Sequence, residues 1–196
     1  PNGIGKTTLL RTLIHDLEAR TGHIQFSENA AIGYYPQEHI DEFAADMSLF
    51  EWMRQWGKAE DDDQVIRGIL GRLLFSRDDS EKSVKVLSGG EMGRMLYGKL
   101  MLQKNNILFM DEPTNHLDLW ARESLDRSLK SFNGTLLFVS HDRYFLNRVA
   151  DHILVIGPDR CYVIEGNYET YLYLAKQRLA ADERVSSEAS ETRAIT

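Results

Sequence analysis

Residues Ile107-Leu108-Phe109-Met110 form an unbroken apolar run that stops at Asp111-Glu112-Pro113. A strand with one wet face alternates apolar and polar side chains, whereas a run without alternation is predicted to be buried on both faces. Such strands belong to parallel sheets covered by helices, and successive parallel strands need long crossover connections. The rest of the chain supplies the parts. Ala31–Tyr35 and Thr135–Val139 are also predicted strands, and segments with helical spacing lie between them. The alternation predicts an α/β fold with a mostly parallel sheet.

Leu9, Leu10, Leu13, Ile14 and Leu17 predict a helix from Lys6 to about Ala19. His23–Phe26 is read as a further strand, turned into the next at Ser27-Glu28-Asn29. From Ser48 to about Val86 the pattern is helical, with Ser48 and Glu51 forming a capping box. With its flanks this gives a helical subdomain over about residues 41–102. A second box, Ser88 with Glu91, starts a helix to about Leu102, and Leu125 with Leu129 mark another. His152–Ile156 and Cys161–Ile164 predict a short β-hairpin turned at Gly157-Pro158-Asp159. A last helix runs from Tyr168 to about Asp182, and the Ser-, Glu- and Ala-rich tail from Val185 is predicted to be disordered. There is no internal repeat. The organisation expected is one domain over residues 1–174, with 175–196 as helix end and tail.

The formal net charge of −7 argues against broad binding to nucleic acid, which needs clustered Lys and Arg. The single cysteine, Cys161, excludes an internal disulfide framework. Within Cys161-Tyr162-Val163-Ile164 it is expected to be a buried thiol in a reducing compartment. No apolar stretch reaches the roughly 18 residues that span a bilayer, and the first residues are unlike a signal peptide. A cytoplasmic location is expected.

Pro1-Asn2-Gly3-Ile4-Gly5-Lys6-Thr7-Thr8 fits G-x-x-x-x-G-K-[ST] at every position but the first glycine, which would precede Pro1. Either this is a Gly-rich turn capping a helix, or its N–H groups cradle phosphate at the positive helix end. In the second case Lys6 neutralises phosphate charge and Thr7 ligates Mg²⁺. Asp111 and Glu112 end the buried strand, at the sheet edge where open α/β sheets bind ligands. There Asp111 can hold Mg²⁺ and Glu112 can orient or deprotonate a water; the alternative is a solvated acidic turn. His141, after the strand Thr135–Ser140, reaches the same edge as a structural histidine or a γ-phosphate partner. The other five histidines, His116 among them, show no metal-ligand spacing and are expected at the surface or in loops. Leu87-Ser88-Gly89-Gly90-Glu91 opens a helix with two glycines in its first turn, either a plain cap or a second anion site.

Taken in order, the Pro1–Thr8 loop, Gln37, Leu87–Glu91, Met110–Asp118 and Ser140-His141-Asp142 resemble the Walker A, Q-loop, signature, Walker B with D-loop, and H-switch of an ATP-binding-cassette ATPase. The resemblance covers Pro1 to about Leu174 and implies the P-loop ATPase cassette fold. Glu112-Pro113-Thr114-Asn115-His116-Leu117-Asp118, Ser140–Leu146 and Gly166–Leu172 are similar to the ABC-F group. The stretch from Phe50 to Phe75 looks like its bacterial translational throttles.

That resemblance implies Mg²⁺-dependent ATP hydrolysis used as a switch between two cassettes. Pro1, Asn2, Gly3, Ile4, Gly5, Lys6, Thr7, Thr8 and Gln37 would bind nucleotide, and Thr7, Gln37 and Asp111 would hold Mg²⁺. Glu112 and His141 would be catalytic, and Asp118 would be the D-loop aspartate. Leu87, Ser88, Gly89, Gly90 and Glu91 would act on the ATP of a partner cassette, upstream on the same polypeptide. Family members bind the ribosome near its tRNA exit site, so the ribosome is the implied target. Two other readings stand: the ATPase subunit of a membrane transporter, and a regulatory fragment without turnover. Met92 departs from the Gln or Lys frequent after the signature.

Overall fold

The computed structural model describes residues 4–115, 117–157 and 161–177. It divides into two compact units, Gly5–His141 and a second made of the residues from Asp142 onward with those before Gly5.

In the larger unit, α1 (Lys6–Leu13) follows Gly5, whose φ of +95° suits glycine. The helix is shorter than the sequence suggests. His15 turns left-handed at φ +62°, and the N–H groups of Asp16 and Leu17 donate back to the Arg11 carbonyl. Arg11 Nε meets the Asp16 carboxylate at 2.6 Å. A left-handed residue followed by a local side-chain bond closes a helix even where apolar spacing continues.

The strands β1 (Ile32–Tyr35), β2 (Ile107–Asp111) and β3 (Thr135–Val139) form a parallel sheet in the order β1-β2-β3. Tyr35 lies opposite Met110, and Asp111 opposite Val139. Because β2 is the middle strand, Leu108, Phe109, Met110 and Asp111 are all buried, which accounts for the absence of alternation in its sequence. His23–Phe26, read as a strand, joins no ladder among the described residues. Side-chain packing holds it instead, with the Phe26 ring edge-on to Phe109 at 6.3 Å and to His15 at 6.0 Å.

Between β1 and β2 the chain is helical. Ser48 and Glu51 form the expected capping box on α2 (Leu49–Arg54), α3 (Asp63–Arg72) is capped by Asp62, and α4 (Gly89–Gln103) starts at the Ser88–Glu91 box. Leu49, Trp52, Met53, Ile66, Leu70 and Val84 form the core of this region. The N–H groups of Leu49 and Val84 donate to the carbonyls of Lys82 and Met47, tying its two ends together. Gly98 leaves room on α4 for Met53 and Leu73, whose Cε and Cδ1 a Cβ there would meet at 2.5 and 2.7 Å. Trp52 stacks on Phe43 at 4.7 Å, and its Nε1 donates to the Glu42 carbonyl at 3.0 Å. Trp52→Ala is expected to destabilise this unit by about 3–5 kcal/mol, read as a lowered urea midpoint. A loss under about 1 kcal/mol would mean the region collapses around the hole.

His39, expected at the surface or in a loop, lies in the loop after β1 but is buried, because the rings of Tyr35, at 5.9 Å, and Phe43, at 6.4 Å, pack on it. After β2, α5 (Leu119–Lys130) is capped by Asp118 and buries Leu125 and Leu129.

The smaller unit holds α6 (Arg143–Val149), capped by Asp142, and the antiparallel pair β4 (His152–Ile156) and β5 (Cys161–Glu165). Residues 168–177 are helical, and Asn147 and Glu169 exchange two hydrogen bonds, at 2.9 and 3.1 Å. Cys161 is exposed, contrary to expectation, because strand alternation places it on the open face of β5 while Ile164 faces inward. The turn residues Pro158 and Asp159, the end of the last helix and the tail from Val185 lie outside the described residues.

Candidate functional site

Three parallel strands present their C-terminal ends at one edge, so segments far apart in sequence meet there. Pro36-Gln37 follows β1, Glu112 follows β2, and Ser140-His141 follows β3. Helix α1 packs against β2. This brings Lys6, in its first turn, near enough to Glu112 to stabilise its carboxylate electrostatically. Thr7 is half-buried beside Lys6, Thr8 is exposed, Ile4 is a half-buried bend before Gly5, and Gln37 is exposed beyond the strand end. Pro1, Asn2, Gly3 and His116 lie outside the described residues.

Glu112 is the most constrained member. Its φ of +50° is left-handed, a conformation that costs a non-glycine residue about 1–3 kcal/mol and needs support. The support is present: its N–H donates to the Val139 carbonyl at 2.8 Å, and its carbonyl accepts from Asn115 N–H at 3.1 Å. Its carboxylate Oε2 accepts from His141 N–H at 3.2 Å, while Oε1 lies 3.5 Å from His141 Nε2. Burial pushes the Glu112 carboxyl above the usual glutamate range, helped by Asp111 and opposed by His141 and Lys6. A carboxylate so placed is a better proton acceptor near neutral pH than an exposed one.

Asp111 is 1% exposed, and among the described residues neither carboxylate oxygen has a hydrogen-bond partner. A buried carboxylate without a donor is costly, and a cation is the natural remedy. Among the described residues no group of three or more His, Cys, Asp or Glu forms a metal cage. A cation here would take its other ligands from hydroxyl, phosphate and water, the donor set that suits Mg²⁺. The hydroxyls of Thr114 and Ser140 lie 3.4 Å apart beneath the edge, linking the loops after β2 and β3. Residue spacing alone does not single out this pair.

The start of α4 presents main-chain N–H groups around a capping box. Glu91 Oε2 accepts from the Ser88 N–H at 2.8 Å and hydroxyl at 2.7 Å, and Ser88 Oγ accepts from Glu91 N–H at 3.4 Å. The box thus uses the first and fourth orphan N–H groups of the helix. Those of Gly89 and Gly90 between them have no intrahelical acceptor. Leu87 is buried beneath, whereas Ser88 and Gly89 are exposed. Asp118 caps α5 by accepting from Ala121 N–H at 2.8 Å.

The hydroxyl of Tyr97 on α4 donates to the carbonyl of Pro113, just past the end of β2. Ser88 is nine residues earlier, about 13 Å along the helix axis at 1.5 Å per residue.

Residues 1–115 match the family model described as ABC transporter. The chain is 59% identical over 171 residues to the probable ATP-binding protein YbiT of Escherichia coli O157:H7, covering 87% of this chain and 32% of that protein. It is 34% identical over 176 residues to ABC transporter F family member 5 of Arabidopsis thaliana, covering 88% and 25%. Among solved structures it is similar to a chain in the complex of an archaeal ribosomal stalk protein with an archaeal ribosome recycling factor. There the TM-score is 0.70 at 25% identity, over 90% of this chain and 35% of that one. The chain thus spans between a quarter and a third of the length of these two relatives.

Proposed function

The chain belongs to the ABC transporter family of ATP-binding cassettes, and from that premise we propose that it binds and hydrolyses ATP with Mg²⁺ as one half of a two-cassette switch. The observation that carries the proposal is the unpartnered, buried Asp111 carboxylate beside Glu112, His141 and Lys6 at one sheet edge. Gly5, Lys6, Thr7 and Thr8, with Pro1, Asn2, Gly3 and Ile4 before them, wrap the phosphates at the head of α1. Thr7, Gln37 and Asp111 would hold Mg²⁺, which would supply positive charge to offset that of the phosphates.

Glu112 orients a water and accepts its proton as the water oxygen attacks the γ-phosphorus. The bond to the bridging oxygen breaks and ADP leaves. His141 holds the Glu112 carboxylate through its main chain and reaches the γ-phosphate with its exposed imidazole. Phosphate release by the purified protein, dependent on Mg²⁺ and abolished by EDTA, is the expected result; release indifferent to the metal contradicts the reading.

The same geometry gives a pH dependence. The His141 imidazole lowers the Glu112 pKa and its main-chain N–H does so independently. His141→Ala removes only the imidazole, so the carboxyl titrates at higher pH and the acid limb of kcat, which needs the carboxylate, moves upward. An acid limb that stays or moves down contradicts the role given to His141.

The ribosome is proposed as the target, in the cytoplasm, with the second cassette upstream on the same polypeptide. Support comes from the F-family relative and from the structural likeness to the complex of ribosomal stalk protein and recycling factor. Among the described residues no helix is long and apolar enough to cross a membrane. The family description favours one rival, the ATPase subunit of a transporter. Sedimentation with ribosomes rather than membranes in the presence of ATP is expected.

A further inference from the structure

We infer that Tyr97 is a positioning residue, tying the helix that begins at Ser88 to the turn that carries Glu112. The inference rests on the ATPase reading above and adds to it a path within one cassette. Glu112 keeps its left-handed backbone only because the turn around it is fixed on several sides. Its N–H is held by Val139 on β3, its carbonyl by Asn115, and Thr114 meets Ser140 across the loops. The remaining carbonyl of the turn, that of Pro113, accepts from the hydroxyl of Tyr97. Proline has no N–H to anchor, so this carbonyl is the main-chain handle at that position.

Tyr97 is itself held rigidly. Its ring stacks on Tyr35 at 4.8 Å and 16°, and Tyr35 is buried at the C-terminal end of β1, with His39 of the segment after Gln37 tilted against it at 5.9 Å. Burial also pushes the Tyr97 hydroxyl well above the usual tyrosine range, so it stays a donor at all working pH values. Helix α4 is a single rigid element from Gly89 to Gln103, so an axial shift or tilt at its exposed N-terminus is carried nine residues on to Tyr97. A nucleotide docking at Ser88 to Gly90 therefore bears, through Tyr97 and Pro113, on the carboxylate of this same cassette.

The test uses the complete two-cassette protein, with turnover restricted to this site by substituting the other cassette's catalytic glutamate. Tyr97→Phe keeps the ring and the stack and removes only the hydroxyl. Losing one hydrogen bond that sets a catalytic geometry is expected to lower kcat by about 3- to 10-fold with KM for ATP and the melting temperature unchanged. Tyr35→Phe removes the hydroxyl that hydrogen-bonds Tyr97 from the other ring of the stack but leaves the bond to Pro113; it is expected to turn over like the parent, and a loss equal to that of Tyr97→Phe would assign the effect to the tyrosine pair and overturn the inference. A Tyr97→Phe protein with the parent kcat, or one whose kcat falls only in step with its melting temperature, overturns the inference. If Glu112→Gln stalls hydrolysis while Tyr97→Phe does not, the inference alone fails. If Glu112→Gln also turns over normally, the ATPase reading fails with it.

Discussion

Glutamine in place of Glu112, introduced together with its counterpart in the second cassette, is expected to lower ATP turnover by about 10²–10⁴-fold while Mg-ATP binding is retained. The amide has the shape of the carboxylate and can still accept from His141 N–H, now 3.2 Å from Oε2, so the left-handed turn keeps its support. What is lost is the proton acceptor. Burial, which raises the pKa of the carboxyl, makes the native group effective and has no equivalent in an amide. Because binding survives and hydrolysis does not, the closed ATP-bound state should accumulate on ribosomes and inhibit translation. Phosphate release, nucleotide affinity and sucrose-gradient position are the three measurements. Unchanged turnover removes Glu112 from the chemistry; accumulation on membranes moves the target to a transporter.

Arginine at Ser88 is expected to leave nucleotide affinity at Lys6 nearly intact and to abolish turnover at the opposite site. The reasoning is geometric. Ser88 starts α4 about 13 Å along the helix axis before Tyr97, and the helical region from Leu49 to Val86 separates it in sequence from the strand end after β1, so it is expected to serve a phosphate presented by another cassette. Blocking preorganised donors to phosphate, here the Gly89 and Gly90 N–H groups, should cost on the order of 10²–10³-fold or more in turnover. Ser88→Ala separates helix fraying from blocked docking, since it removes only the capping hydroxyl, at a cost of about 1 kcal/mol. Loss of affinity at Lys6 in Ser88→Arg would show that the signature acts within one cassette and would remove the two-cassette mechanism.

Much of this was legible in the sequence because the strongest signals are local. The unbroken run Ile107–Met110 announced a middle strand, and the serine–glutamate spacings announced the starts of α2 and α4. The errors lie where tertiary contacts override local pattern. Apolar spacing carried the first helix past Leu13, but the left-handed His15 and the Arg11–Asp16 pair end it. The apolar segment around Phe26 read as a strand, but it packs by its rings without backbone pairing. Cys161 looked buried from the company it keeps, and strand alternation puts it outside. His39 is in a loop, as expected, but two aromatic rings bury it there. At the site, residue types and order pointed to Lys6, Asp111, Glu112 and His141. The left-handed backbone of Glu112, the burial of the Asp111 carboxylate without a hydrogen-bond donor among the described residues and the reach of Tyr97 to Pro113 depend on three-dimensional placement that no spacing encodes.

The most direct test is a calorimetric titration of a non-hydrolysable ATP analogue into the complete protein, with the other cassette's phosphate-loop lysine replaced so that this site alone binds. The account expects one equivalent bound, more tightly with Mg²⁺ than with EDTA. It expects at least about a tenfold loss of affinity in Lys6→Ala, as for removal of one partner of a close charge pair. It also expects loss of the Mg²⁺ dependence in Asp111→Ala. One equivalent of analogue bound with undiminished affinity by Lys6→Ala, and with the same response to Mg²⁺ in Asp111→Ala, would contradict it.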